Sequence, residues 1–269
     1  MKYFDSHAHY YDARFESELD CSVDSLIDAI FKESASYIIN VGTSLESSKA
    51  AIVQSKKYAN MYTAIGIHPS DCTYLDLPLE KNLYGLEQLI LDKSNKCVAL
   101  GEIGLDYHYE DTDREKQLLY FEEQMRLAES LKIPVSIHDR DAHGDVLLVL
   151  RRHPDVFGVL HSFSGSAEMA REVSEMGYYV SFSGTLTFKN ARKPKEAALA
   201  VPRDKILIET DCPYLAPHPL RGTLNHSGNL VYTNRALAEL LEMDEESTAR
   251  LTEQNARTLF NIDSTPRPI

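Results

Sequence analysis

Eight short runs of apolar and β-branched residues recur along the chain, and the segments between them space apolar residues three and four positions apart. The runs fall at residues 3–8, 37–41, 62–67, 97–103, 134–137, 158–160, 178–183 and 206–209. Near-continuous apolar runs this short predict strands buried on both faces. The spacing between them, as in Val23, Leu26, Ile27 and Ile30 or Leu118, Phe121, Met125 and Leu131, predicts helices with one apolar stripe. Strands alternating with helices make a parallel sheet covered by helices, and eight such units predict closure into a TIM (β/α)8 barrel. Residues 216–228, with Pro217, Pro219, Gly222 and Gly228, read as a long loop after the eighth strand. Two more helices, 230–241 and 246–260, are expected outside the barrel, and the tail 263–269 is expected to fray. No Pro/Gly/Ser-rich linker divides the sequence, so residues 1–269 read as one domain.

Composition narrows this picture. A length of 269 residues suits one α/β barrel, and 43% hydrophobic residues suffice for a large core. No apolar run reaches the roughly 18 residues of a membrane span. The N-terminal MKYFDSHAHYYDARF has no apolar leader-like stretch. Cys21, Cys72, Cys97 and Cys212 form no C-x-x-C pair and read as free thiols of a reducing compartment, so a cytoplasmic protein is expected. The net charge of −13 argues against a protein that tracks a long polyanion, which needs many cationic contacts. Any nucleic-acid contact should be short and local. No obligate protein partner is evident.

The chemistry lies at the ends of the predicted strands. His7 and His9 sit in YFDSHAHY, Glu102 in CVALGEIGLDY, His138 in PVSIHDR, His161 in GVLHSFSG and Asp211 in ILIETDCP. Strand ends so far apart in sequence converge only on the rim of a barrel. Their side chains offer imidazole nitrogen and carboxylate oxygen, the donors of divalent metals. His7 and His9, two apart on a strand, can face the same side. An isolated H-x-H is common by chance; its company makes it informative. Glu102 ends an apolar run between Gly101 and Gly104, where a buried carboxylate is costly unless paired or metal-bound. A bridge between two ions explains it better than a structural salt bridge. His138 and His161, with Glu102, can hold a second ion. Asp211 can complete the first and hydrogen-bond the attacking water. Glu209 is expected to be a structural carboxylate deeper in the barrel.

Two ions roughly 3.5–4 Å apart suit phosphoester hydrolysis, because they acidify water and stabilise the attacking and leaving oxygens. No G-x-S-x-G elbow, G-x-x-x-x-G-K-[ST] loop or G-x-G-x-x-G turn competes with this reading. His68, in G-I-H-P, fits a ligand, a group behind the ligands or a substrate phosphate contact; the last is preferred. Arg140 and Arg221 can also reach a phosphate. His108, His143, His153, His218 and His226 fall in loops or helices and are expected to play surface roles.

Taken in order, D-S-H-A-H, G-I-H-P, G-E-I-G-L-D-Y, H-D-R, H-S-F-S-G, E-T-D-C-P-Y-L-A-P and N-A-R-T-L-F resemble the TatD family of metal-dependent deoxyribonucleases. The likeness runs from residue 5 to about 260. It implies a TIM barrel of the amidohydrolase superfamily, a metal pair and 3′-to-5′ exonuclease action on short or single-stranded DNA ends. By position it implies one ion at His7, His9, Glu102 and Asp211 and another at Glu102, His138 and His161. Four imidazoles favour zinc, manganese or iron over magnesium, which prefers oxygen ligands. Where the family usually carries R-G-x-x-N-E-P, this chain has Arg221-Gly222-Thr223-Leu224-Asn225-His226-Ser227, in a loop expected to border the substrate. The change opens a rival reading, hydrolysis of another ester or amide in a small metabolite or an aminoacyl-tRNA. A non-catalytic barrel is the other rival, and the intact ligand set opposes it.

Overall fold

A computed structural model describes residues 1–75 and 78–262. The expected frayed tail, 263–269, lies outside the described residues. The eight strands are β1 Tyr3–Ala8, β2 Ala35–Val41, β3 Met61–Ile65, β4 Cys97–Asp106, β5 Val135–Arg140, β6 Gly158–Leu160, β7 Tyr179–Phe182 and β8 Ile206–Ile208. They form one parallel sheet in chain order, wrapped into a nearly closed TIM barrel. At the seam Ala8 bridges Cys212, the Asp211 amide donates to the His7 carbonyl (2.9 Å) and the His9 amide donates to the Cys212 carbonyl (2.8 Å). The buried Asp5 carboxylate completes this seam, accepting from the Thr210 amide at 2.9 Å and the Thr210 hydroxyl at 2.6 Å.

The helices between the strands are α1 Ala13–Glu18, α2 Val23–Glu33, α3 Leu45–Ser55, α4 Pro69–Cys72, α5 Leu79–Leu91, α6 Arg114–Leu131, α7 His143–Arg152, α8 Ala167–Glu175 and α9 Arg192–Ala200; α10 Leu230–Leu241 and α11 Glu245–Leu259 follow. Side chains at the helix starts satisfy amides that have no partner within the helix. Ser22, Ser44, Asp113, Ser166 and Asp244 each accept from the third residue beyond. One apolar layer, including Ile65, Leu100, Ile103, Ile137 and Leu160, joins the sheet to the helices. A second fills the barrel's lower interior with Phe4, Ile39, Ala99, Val159 and Leu207. The last helix sets Ala249 in the outer layer, as expected, but its C-terminal end goes further. Ala256, Leu259 and Phe260 of its C-terminal end join the interior cluster and close the barrel floor.

Two strands also run further than the apolar pattern indicates. Pairing of Gly104, Leu105 and Asp106 with His138, Asp139 and Arg140 carries β4 and β5 past their apolar runs, so His138 lies within a strand rather than after it. β8 stops short of Glu209, because Thr210 turns its amide to the Asp5 side chain instead of a neighbouring strand. The extended pairing depends on Gly104. Its φ is +136°, and an added Cβ would lie 2.0 Å from the His138 carbonyl oxygen. Gly104→Ala is therefore expected to cost on the order of 3 kcal/mol, or about 10 °C in thermal midpoint. Gly144→Ala, where an added Cβ meets nothing within 4 Å, should leave the midpoint unchanged or raise it. A thermal melt of both variants checks this.

Candidate metal centre

The six residues picked out at strand ends meet at the C-terminal mouth of the barrel. A bulge between Asp5 and Ala8 lets both Ser6 and His7 point inward, with His9 following at the strand's end. A second bulge between Leu100 and Ile103 brings Glu102 inward. Gly101 permits it, because an added Cβ there would sit 2.7 Å from Ser136 on β5. Asp211 holds the left-handed conformation (φ +56°) just past the seam, which turns its carboxylate back over the mouth.

Glu102 is the hinge of the arrangement. Its Oε2 lies 3.3 Å from His7 Nε2 and 3.7 Å from His9 Nε2. Its Oε1 lies 2.8 Å from both His138 Nδ1 and His161 Nε2. Asp211 Oδ1 stands 3.3 Å from His9 Nε2 and 3.9 Å from His7 Nε2. Donor atoms thus run in a continuous line from Asp211 through Glu102 to His138. Three triads along it keep their donors within 4.8 Å of one another: His7–His9–Asp211, His7–Glu102–His161 and His68–Glu102–His138.

The far side of each imidazole decides what its near side can do. His9 Nδ1 donates to the Val41 carbonyl at 2.8 Å. His161 Nδ1 meets Glu209 Oε1 at 3.2 Å, and His138 Nε2 meets Asp106 Oδ2 at 3.2 Å. His7 Nδ1 lies 3.3 Å from the Ser136 hydroxyl. An acceptor behind the ring keeps a proton there and leaves the lone pair of the other nitrogen aimed at the cluster, the arrangement of metal-ligating histidine.

His68 is wired the other way. Its Nδ1 accepts from the Ser70 amide at 3.1 Å, so the neutral ring carries its proton on Nε2, which faces Glu102 Oε1 at 3.4 Å. It presents a donor to the site, not a lone pair. Of the three roles open to it, this geometry favours a contact to substrate oxygen.

Electrostatics fit a cation. Burial alone would raise the Glu102 pKa, but His161, His68 and His7 with the His138 hydrogen bond hold it well below the usual range. Asp211 is likewise lowered against its burial, by the His9 hydrogen bond and by His161 and His7. Burial, then the His161 charge, pushes His7 down toward the neutral ring. Burial opposes charging His138 and His161 too, yet carboxylates on both sides raise both, His161 strongly. The carboxylates thus favour positive charge between these two rings and Glu102. A metal ion supplies the same positive charge at that position, so the donor set fits a divalent ion.

Two supporting carboxylates differ in how visible they are. Glu209 is fully buried behind His161, as deep as expected, with Oε1 also accepting from the Ser162 amide at 2.8 Å. Asp106 was not anticipated, although it lies on the inward alternation Glu102, Gly104, Asp106. Glu209→Gln should turn an amide into the place of the acceptor behind His161. It should lower metal affinity or activity by about 10–100-fold, read by competitive metal titration; an unchanged affinity would remove Glu209 from the site.

The remaining expectations divide. Arg140 is exposed at the rim, stands 5.6 Å over Tyr109 and helps lower the Asp106 pKa. Arg221 lies over Phe188 at 4.3 Å rather than against the ligand cluster. His153 is not a surface residue. It is 6% exposed and meets Glu122 at 2.8 Å, because α7 ends against α6 there. The loop that departs from the family motif leaves the rim after Asn225. The Asn225 side chain donates to the Thr210 and Tyr214 carbonyls, Ser227 donates its hydroxyl to Asp5 at 2.6 Å and its amide to Tyr10, and His226 Nδ1 accepts from the Gly228 amide. Ser227 thus joins the β1–β8 seam, and its amide makes a bond that proline lacks. His226 and Ser227 do not border the ligand cluster.

Residues 4–261 match the family described as TatD related DNase. The chain belongs to that family. It is 39% identical to the uncharacterized metal-dependent hydrolase YabD of Bacillus subtilis, over 97% of this chain and 99% of that one. It is 35% identical to the uncharacterized metal-dependent hydrolase TatD of Mycobacterium tuberculosis, over 96% and 97%. In structure it resembles YJJV, a TatD homolog from Escherichia coli K12, with a TM-score of 0.86, 28% identity and coverage of 97% and 98%. It is a metal-dependent hydrolase of the TatD family. Among the described residues no helix is long and apolar enough to cross a membrane.

Proposed function

We propose that this TatD-family hydrolase cleaves phosphodiester bonds in DNA from a 3′ end, using two divalent ions. The observation that carries the reading is the division of Glu102, one oxygen toward His7 and His9 and the other toward His138 and His161. His7, His9, Asp211 and Glu102 Oε2 would hold one ion, and His138, His161 and Glu102 Oε1 the other. When bound, such a pair supplies positive charge at the phosphoryl oxygens and acidifies the attacking water.

The chain's own residues divide the remaining work. Asp211, 16% exposed at its side chain against 4% for Glu102, is the cluster carboxylate most open to an incoming water and can accept its proton. His68 donates its Nε2–H to a non-bridging phosphate oxygen. Arg140 adds a cation at the rim beside His138. The acidic chain as a whole disfavours long polyanions, which fits attack at a strand end better than along a duplex.

Purified protein should be tested on a short single-stranded oligonucleotide, bis(p-nitrophenyl) phosphate and p-nitrophenyl acetate, with elemental analysis of protein purified without added metal. Metal-dependent release of nucleotides from the 3′ end, with metal near two equivalents, is expected. Acyl-ester hydrolysis outrunning DNA cleavage by orders of magnitude overturns the nuclease reading. Metal near zero that reconstitution does not raise overturns the two-ion reading.

A further inference from the structure

A groove of 720 Å³ opens between the loops that follow β7 and β8, and no role falls to it in the chemistry above. Its wall includes Thr185, Phe188, Lys189, Asn190, His218 and Arg221. Its size lies within the roughly 300–1,000 Å³ of small-ligand sites, and its lining holds two cations and a histidine with no carboxylate. That is unusual on a chain of net charge −13. The neighbouring segment adds Arg192, Lys193 and Lys195, of which Arg192 is paired with Glu196. The groove is locally basic.

It is also tied to the metal centre and firmly built. A line of hydroxyls leads to it: Ser162, which follows His161, meets Ser183 at 2.9 Å, and Ser183 meets Thr185 of the groove wall at 3.0 Å. The two loops are locked together where the His218 amide donates to the Thr187 hydroxyl at 2.7 Å. Gly184 lies so close that an added Cβ would be 2.2 Å from the Leu215 carbonyl oxygen. On this frame Phe188 holds the Arg221 guanidinium 4.3 Å from its ring centroid, while Arg221 remains exposed. A guanidinium so held offers its free face to a flat ring and its edge to a phosphate. Arg140 over Tyr109 repeats the device elsewhere on the rim, and both of those side chains are exposed.

We infer that this groove binds one nucleotide of a single-stranded polynucleotide beyond the scissile phosphate, its base stacked on Arg221 over Phe188 and its phosphate held by Lys189. Alternating cations and stacking surfaces are what single strands require, since each base offers a π-face and each linkage a charge. The inference deepens the phosphodiester reading and rests on it for the identity of the substrate, but binding can be measured separately from cleavage.

The test is fluorescence anisotropy with a labelled eight-residue single-stranded DNA whose phosphorothioate linkages resist cleavage, alongside turnover of bis(p-nitrophenyl) phosphate. Arg221→Ala and Phe188→Ala should each weaken oligonucleotide binding by about tenfold, as expected for a lost stacking platform. Arg221→Lys, which keeps the charge but not the plane, should restore little of it. Lys189→Ala should flatten the dependence of log affinity on log salt by about 0.7, the contribution of one single-strand phosphate. Thermal midpoints of the variants report that each folds. Binding within twofold of the parent in both Arg221→Ala and Phe188→Ala overturns the inference, as does a parent protein that fails to bind the oligonucleotide at low salt. A parent that binds the oligonucleotide through these residues but hydrolyses no phosphodiester overturns the proposed function and leaves the groove standing.

Discussion

Glu102→Ala should empty both ion sites at once and bring hydrolysis to the assay floor. Among the described residues Glu102 is the one side chain whose two oxygens face the two histidine groups separately, so its loss removes a ligand from each. A loss at His161 or Asp211 touches one group. The fold should survive. The four imidazoles left facing one another can stay buried as neutral rings, because removing the carboxylate removes what favours their charged form. The checks are metal content by elemental analysis, expected near zero after dialysis against trace metal, and a melting curve compared with that of the metal-free parent. Retention of one full equivalent with measurable turnover would show that Glu102 serves a single ion. The bridging role would then have to be abandoned.

That prediction was nearly complete in the sequence, and the reason is physical. Metal ligands must be polar, and polar residues inside or just beyond apolar strands stand out against their surroundings. His7, His9, Glu102, His138, His161 and Asp211 are weak signals singly but a strong one together, because the eight-unit alternation says they share a rim. What surrounds them is less visible. Asp106 and Ser136 carry no contrast of their own, because they lie on inward alternations of β4 and β5 that bulges partly disturb. The role of His68 turns on a single backbone amide, that of Ser70, which no residue pattern records. The replaced pair His226-Ser227 reads as a substrate-facing change only while the loop is imagined staying at the rim. Hydrogen bonds from Ser227 to Asp5 and Tyr10 pull it down the outside of β1 instead. The closing of the barrel floor by α11 is equally hidden, since its apolar stripe suits an outer helix as well as a plug.

Asp211→Asn should separate holding an ion from moving a proton. Asparagine keeps an oxygen where Asp211 Oδ1 faces His9 and His7, so a substantial share of metal should remain. The amide is a far poorer proton acceptor than the carboxylate. Loss of a general base typically costs about 10²–10⁴-fold, and that fall is expected in turnover, with metal content measured on the same sample. The left-handed backbone at Asp211 favours this substitution, because asparagine tolerates positive φ at least as well as aspartate does. Misfolding is then not the cause of lost rate. Near-normal turnover with metal bound would show that Asp211 only holds an ion. The proton would then need another acceptor. His226 is poorly placed for that, since its Nδ1 is engaged by the Gly228 amide on a segment packed outside β1. His68 fails as well, because the nitrogen it turns to the site already carries the proton. Among the described residues the other carboxylates at the cluster are closed to water, with side-chain exposures of 4% for Glu102, 3% for Asp106 and 0% for Glu209 against 16% for Asp211. This elimination is what singles out Asp211, and the asparagine variant tests it at one atom.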